Sequence, residues 1–286
     1  MQGRRPASGH CAGFAAWNNA RVPDLTLGET ARVRLVRGFV GVAALGLVLE
    51  AITRAELVNP RYLPPASTVL VTTGRILFDG EFLAGVVGTL QAWALGLTIA
   101  SLLAVPLGLV LGSSRRSWLA ATTAIEFLRP IPSVALIPLV ILLRGRGLEM
   151  KTIVVVYASF WPILFNTIYG MRDVDPVARD TARIFGLRRL DVLLRVSLRS
   201  ASPFIFTGIR ISAAIALIVA ISTELIAGGS PGIGTWMLTR SQTDIDREWV
   251  YAGTVFAGLL GLLINAVFVL VEQRLFFWHQ RVRGAA

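Results

Sequence analysis

Seven arginines (Arg172, Arg179, Arg183, Arg188, Arg189, Arg195, Arg199) and four aspartates (Asp173, Asp175, Asp180, Asp191) crowd residues 172–203, between two apolar segments of membrane length. So basic a stretch in that position reads as a cytoplasmic docking surface rather than a simple connector. Pro176 suits a first helical turn. Val177, Ala178, Thr181, Ala182 and Phe185 then fall on one helical stripe, with Arg179, Asp180 and Arg183 off it. Gly186 can adopt positive φ and end that helix. Leu190, Leu193, Leu194 and Ser197 line a second helix, supported by Asp191 and Arg195 at i,i+4. The pattern is helix–glycine–helix with an apolar seam and a basic rim, and the seam needs a cover.

Other charges lie inside apolar segments. Glu126 and Arg129 are spaced i,i+3, and Glu224 stands alone in a later segment. Charge at membrane depth is costly and faces a cavity or a partner. Arg129 either meets an anionic solute, pairs with Glu126, or touches a headgroup near a span end. Gln91, Asn166 and Asn265 are expected to bond between helices. Trp93, Trp161, Trp236, Trp249 and Trp278 are expected as interfacial anchors.

Several chemistries lack their residues. No Gly-x4-Gly-Lys-Ser/Thr sequence occurs. The only glycine-rich loop, Gly228 to Gly234, has no lysine and reads as a turn or re-entrant bend. If the chain acts with ATP, a separate subunit must bind it. The single Cys11 excludes an internal disulfide and a cysteine metal site, and His10 and His279 both lie in tails, so no metal site and no catalytic residue is expected. A membrane-embedded enzyme would need a nucleophile–base pair or metal ligands within the spans, and none is spaced for it. An ion-driven secondary transporter would show paired inverted halves, and no such repeat is visible.

The elements that position these residues follow from composition. The chain has 286 residues, 54% hydrophobic and 16% charged, which places it among polytopic membrane proteins. Six apolar segments are predicted at about 35–52, 82–111, 118–143, 152–171, 204–227 and 250–271. Segments two and three exceed a minimal span and are expected to be tilted or broken. The resulting organisation is a flexible cytoplasmic tail over 1–34, a six-helix transmembrane domain over 35–272, and a cytoplasmic tail over 273–286. The net charge of +11 arises from 28 Lys+Arg against 17 Asp+Glu. The basic residues crowd the tails and one set of loops, so the positive-inside rule puts both termini in the cytoplasm. Arg144, Arg146 and Lys151 break that rule locally. Nucleic acid is not an expected partner, because no basic stretch carries interleaved aromatics. Anionic headgroups account for the positive charge.

The spacing of the basic loop resembles the "EAA loop" of bacterial ABC-importer permeases: Glu-Ala-Ala, three residues, Gly, nine residues, Ile, one residue, Leu-Pro. Here Asp180-Thr181-Ala182, Gly186, Val196 and Leu198 hold those positions, with Arg199 in place of the proline. Arg129-Pro130-Ile131-Pro132, Pro138, Asn166-Thr167, Gly170, Gly208-Ile209-Arg210, Glu224 to Ala227, Gly232-Ile233-Gly234, Glu272 and Trp278 extend the resemblance over roughly residues 40–280, toward the nitrate/sulfonate/taurine subgroup. The resemblance implies an all-α membrane fold of six transmembrane helices with a binding-protein-dependent permease (MetI-like) core. It implies that Asp180, Thr181, Ala182, Gly186, Val196 and Leu198 couple to a cytoplasmic ABC ATPase, which holds the ATP and Mg. By the same resemblance, an extracytoplasmic solute-binding protein and a second, identical permease copy complete the expected partners in a bacterial plasma membrane. Arg129 and Glu224 are the candidate translocation-path residues. The implied substrates are small oxyanions or organosulfonates, with a thiamine-precursor pyrimidine or another small organic solute as the alternative.

Overall fold

A computed structural model describes residues 31–58, 62–242 and 247–276. Most of the two expected tails, with His10, Cys11, Trp278 and His279, lies outside the described residues. All regular elements among the described residues are helices. The chain forms two units, residues 1–58 and 59–286. In the first, α1 (Ala31–Arg54) covers the predicted first span, and its Arg54 donates to Glu50 one turn back at 2.8 Å.

The second unit holds α2 (Ala66–Ile76), α3 (Gly80–Ser113), α4 (Arg115–Leu128), a 3₁₀ turn (Ser133–Leu136), α5 (Ile137–Arg144), α6 (Leu148–Arg172), α7 (Pro176–Ile184), α8 (Arg189–Ala227), α9 (Ile233–Ser241) and α10 (Arg247–Leu275). Among the described residues, five helices are long and apolar enough to cross a membrane, or six if the bent pair counts as one span. That pair is α4 with the 3₁₀ turn and α5, bent by 74°. Pro130 and Pro132 cause the break: each lacks an N–H and disfavours helical backbone before it. The Leu128 carbonyl, which Pro132 cannot serve, accepts from the Ile131 N–H at 3.2 Å and from the Tyr157 hydroxyl of α6.

Helices α3, α6 and α8 form the centre, with α6 packed on both others. Small residues permit the close approach of α3 and α6. A Cβ at Gly96 would fall 2.4 Å from Val155, and one at Gly108 would fall 2.6 Å from Thr167. Two tryptophans depart from the interfacial expectation. The Trp93 indole donates to the Ala213 carbonyl at 2.8 Å, joining α3 to α8. Trp236 is buried edge-on against Phe82, with ring centroids 4.8 Å apart. Both pack between helices, Trp93 against the core of α3, α6 and α8 and Trp236 in a cluster with Phe82 of α3 and Ala252 of α10.

Pro203 marks another difference. The sequence pattern gives the second helix of the basic loop and the apolar segment at about 204–227 as separate elements. The structure instead runs one helix from Arg189 to Ala227, with a π-helical stretch over Val192–Ser197. The carbonyl that Pro203 would leave empty, that of Arg199, accepts from the Ser202 hydroxyl at 2.8 Å. The second half of the basic loop is therefore continuous with a span.

Candidate functional site

The basic loop is built as a projecting helix, α7, tied at its root to the end of α6. Asp175 caps α7, its carboxylate accepting from the Val177 N–H at 2.8 Å, and Pro176 occupies the first turn. The Arg179 guanidinium donates to the Met171 carbonyl at the end of α6, tying α7 to the helix before it. Asp180 and Arg183 pair along α7 at 2.9 Å. The helix ends at Gly186, whose φ of +79° is left-handed, and the Leu187 N–H reaches back to the Ala182 carbonyl at 3.1 Å. No atom lies within 4 Å of where a Gly186 Cβ would stand, so backbone conformation rather than space requires glycine there.

Of the candidate coupling residues, Asp180, Thr181 and Gly186 are exposed and Ala182 is half-buried, all on α7 or its end. Val196 and Leu198 are half-buried in α8, and Leu198 packs against the Met171–Ala201–Ile205 cluster. The expected second-helix stripe divides. Leu193 and Ser197 face inward, whereas Leu190 and Leu194 are exposed. With Val177, Ile184 (84% exposed) and Phe185 (79%), they leave an apolar surface uncovered beside the arginines. A cleft of about 490 Å³ separates the two arms, lined by Asp173, Asp175, Arg195, Arg199 and Phe204 among others.

Arg129 lies apart from the loop, at the bend between α4 and α5. It is exposed, and its guanidinium sits 4.6 Å over the Phe165 ring. Glu126 is exposed too, and among the described residues no ion pair joins them. Asn265 meets the interhelical expectation, accepting from Arg210 of α8 at 3.2 Å, and Arg210 also pairs with Glu272 at 2.8 Å. Asn166 instead bonds within its own helix, to the Pro162 carbonyl.

Glu224 is fully buried and fully engaged. Lys151, also buried, donates to its Oε1 at 2.9 Å, and the Thr89 hydroxyl and the Gly234 N–H reach Oε2 at 2.9 and 3.0 Å. Lys151 further donates to the Pro231 carbonyl at 2.9 Å, and Thr89 accepts from the Ile233 N–H at 2.9 Å. The node pins the glycine-rich loop between α3 and α8. A Cβ at Gly232 would lie 2.2 Å from the Glu224 Cδ, so nothing larger fits. Sequence reading placed Lys151 in a loop, as a local breach of the charge rule. The structure puts it one turn inside α6 with its charge neutralised. The legible signal was a lysine abutting an apolar run, together with an isolated acid in another.

Residues 104–277 match the family described as "binding-protein-dependent transport system inner membrane component". A putative ABC transporter permease of Methanocaldococcus jannaschii is 29% identical over 85% of this chain and 92% of its own length. A putative aliphatic sulfonates transport permease of Bacillus subtilis is 27% identical over 87% of this chain and 90% of its own. The taurine transport system permease of Escherichia coli is 27% identical over 85% of this chain and 89% of its own. A crystal structure of an amino acid ABC transporter with histidines shares the fold, with a TM-score of 0.53 over 70% of this chain and 97% of that one, at 18% identity.

Proposed function

The chain belongs to the family of binding-protein-dependent transport system inner membrane components, and on that premise we propose that it forms the translocation pathway of an ATP-driven importer for a small oxyanion or organosulfonate. It is a multi-pass membrane permease subunit, not an enzyme. The observation that carries the reading is α7: a capped, projecting helix whose apolar residues have no cover within the described chain. In the proposed assembly a cytoplasmic ATPase covers that surface, contacting Asp180, Thr181, Ala182 and Gly186. Val196 and Leu198 carry its movement along α8, which needs no hinge at Pro203. The loop therefore faces the cytoplasm, a binding protein delivers solute to the opposite side, and two copies line the path. ATP drives alternating access by binding one conformation better than the other.

The solute class is supported by the printed names of the Bacillus and Escherichia relatives, which concern sulfonates and taurine. A relative from Leptolyngbya laminosa, 28% identical over 66% of this chain and 67% of its own length, is named a nitrate import permease. Exposed Arg129, without a carboxylate partner among the described residues, suits an anion on the path. Glu224 serves the path indirectly, by fixing the Pro231–Gly234 loop. The test is uptake into proteoliposomes holding this chain, its ATPase and its binding protein. The reading predicts ATP-dependent uptake of taurine, an alkanesulfonate or nitrate, reduced by Arg129→Gln. Uptake that follows an ion gradient without ATP would overturn it.

A further inference from the structure

A second cleft, of about 410 Å³, is lined by Gly112, Arg115, Trp118, Leu119 and Arg172. It lies where α3 ends, α4 begins and α6 ends, so it sits at the ends of three spans. We propose that it binds the phosphate headgroup of an anionic phospholipid.

The two arginines carry the argument. Arg115 and Arg172 are both exposed, and among the described residues neither has a carboxylate partner. Two like charges facing one cleft repel each other, and a bound anion relieves that repulsion. Arg172 is held in place: its guanidinium stacks 4.6 Å over the Trp118 ring, which leaves its edge N–H donors free for oxygen acceptors. The first turn of α4 contains no acidic residue and two arginines, so the positive end of its dipole is also uncompensated. A phosphate between Arg115 and Arg172 would answer all three charges.

A lipid fits better than a free anion because the cleft has an apolar wall. Trp118 is half-buried and Leu119 is 60% exposed on the same helix, which provides a surface for an acyl chain below the headgroup. Basic pockets between spans at the bilayer surface take anionic headgroups in this way. The site also has a mechanical position. Arg172 ends α6, and three residues later Asp175 caps α7. A lipid held at Arg172 would steady the root of the projecting helix. This inference goes beyond the transport role and needs only that this end of the bundle lies at a membrane surface.

The experiment uses the full chain, equilibrated with mixed vesicles of phosphatidylcholine and phosphatidylglycerol and then examined by native mass spectrometry for retained lipid. Wild type should retain phosphatidylglycerol in preference to phosphatidylcholine. Arg115→Gln and Arg172→Gln should each lower that preference roughly fivefold, and together abolish it. Arg116→Gln, on the same turn but outside the cleft, should leave it unchanged, and inorganic phosphate should not displace the lipid. Equal retention of the two lipids by wild type would overturn the proposal. So would unchanged preference in both single variants, an equal loss in Arg116→Gln, or displacement by inorganic phosphate, which would mark a free-anion site. The single variants keep the test decisive if the double variant fails to fold.

Discussion

Lys151–Glu224 and Asp180–Arg183 are both ion pairs at 2.9 Å, yet they do opposite things. The first is 2% and 0% exposed and shares its charges with Thr89, Gly234 and Pro231. The second is 61% and 64% exposed, on a helix whose Val177, Ile184 and Phe185 stand uncovered among the described residues. Equal distance does not mean equal consequence, because the surroundings set how strongly charge is felt and how much its isolation costs. The buried node holds the bundle to itself. The exposed pair belongs to a surface whose apolar residues wait for another molecule.

The sharpest way to break this contrast is to remove one member of the buried pair. Lys151→Met leaves a carboxylate in a dry site, and the protein should lose about 3–5 kcal/mol of stability, read as a lower unfolding temperature in detergent. Adding Glu224→Gln, which removes the stranded charge and can still accept from Gly234 and Thr89, should recover much of that loss. A double variant no more stable than Lys151→Met would deny that the node works through charge pairing. Next in size is Gly232→Ala, whose Cβ has no room beside Glu224. It should cost about 1–3 kcal/mol by overpacking, seen in the same melt.

The exposed region should respond differently. Gly186→Ala forces a left-handed backbone on a residue with a Cβ and should cost about 1–2 kcal/mol, confined to the end of α7. The melt of the bundle should barely move, while hydrogen exchange in residues 176–187 rises. Smallest is Arg183→Gln, which removes an exposed i,i+3 pair worth about 0.5 kcal/mol or less. Bundle stability should be unchanged within error. A bundle that melts early in either variant would mean that α7 is part of the core.

These regions also differed in how legible they were. Pro176 and Gly186 act on their own neighbours, so local sequence was enough to place α7 and its end. The six apolar segments were legible for the same reason, since span length is a local property. The bend at Pro130 and Pro132 was anticipated only as a span too long to be straight. Pro203 misled because the rescue of the Arg199 carbonyl depends on a serine hydroxyl rotamer. The node was hidden because Thr89, Lys151, Glu224 and Ile233 lie far apart in sequence and meet only when α3, α6 and α8 pack. Trp93 and Trp236 were misplaced on the same ground, their covers being distant in sequence.

The central claim is that the uncovered surface of α7 is where an ATPase docks. The most direct measurement is capture of the co-expressed ATPase by the membrane-inserted chain, with and without Asp180→Arg and Gly186→Arg together. The account predicts capture by wild type and by Arg183→Gln, and its loss in the double variant with the bundle's melt preserved. No capture by folded wild type, or full capture by the double variant, would contradict it.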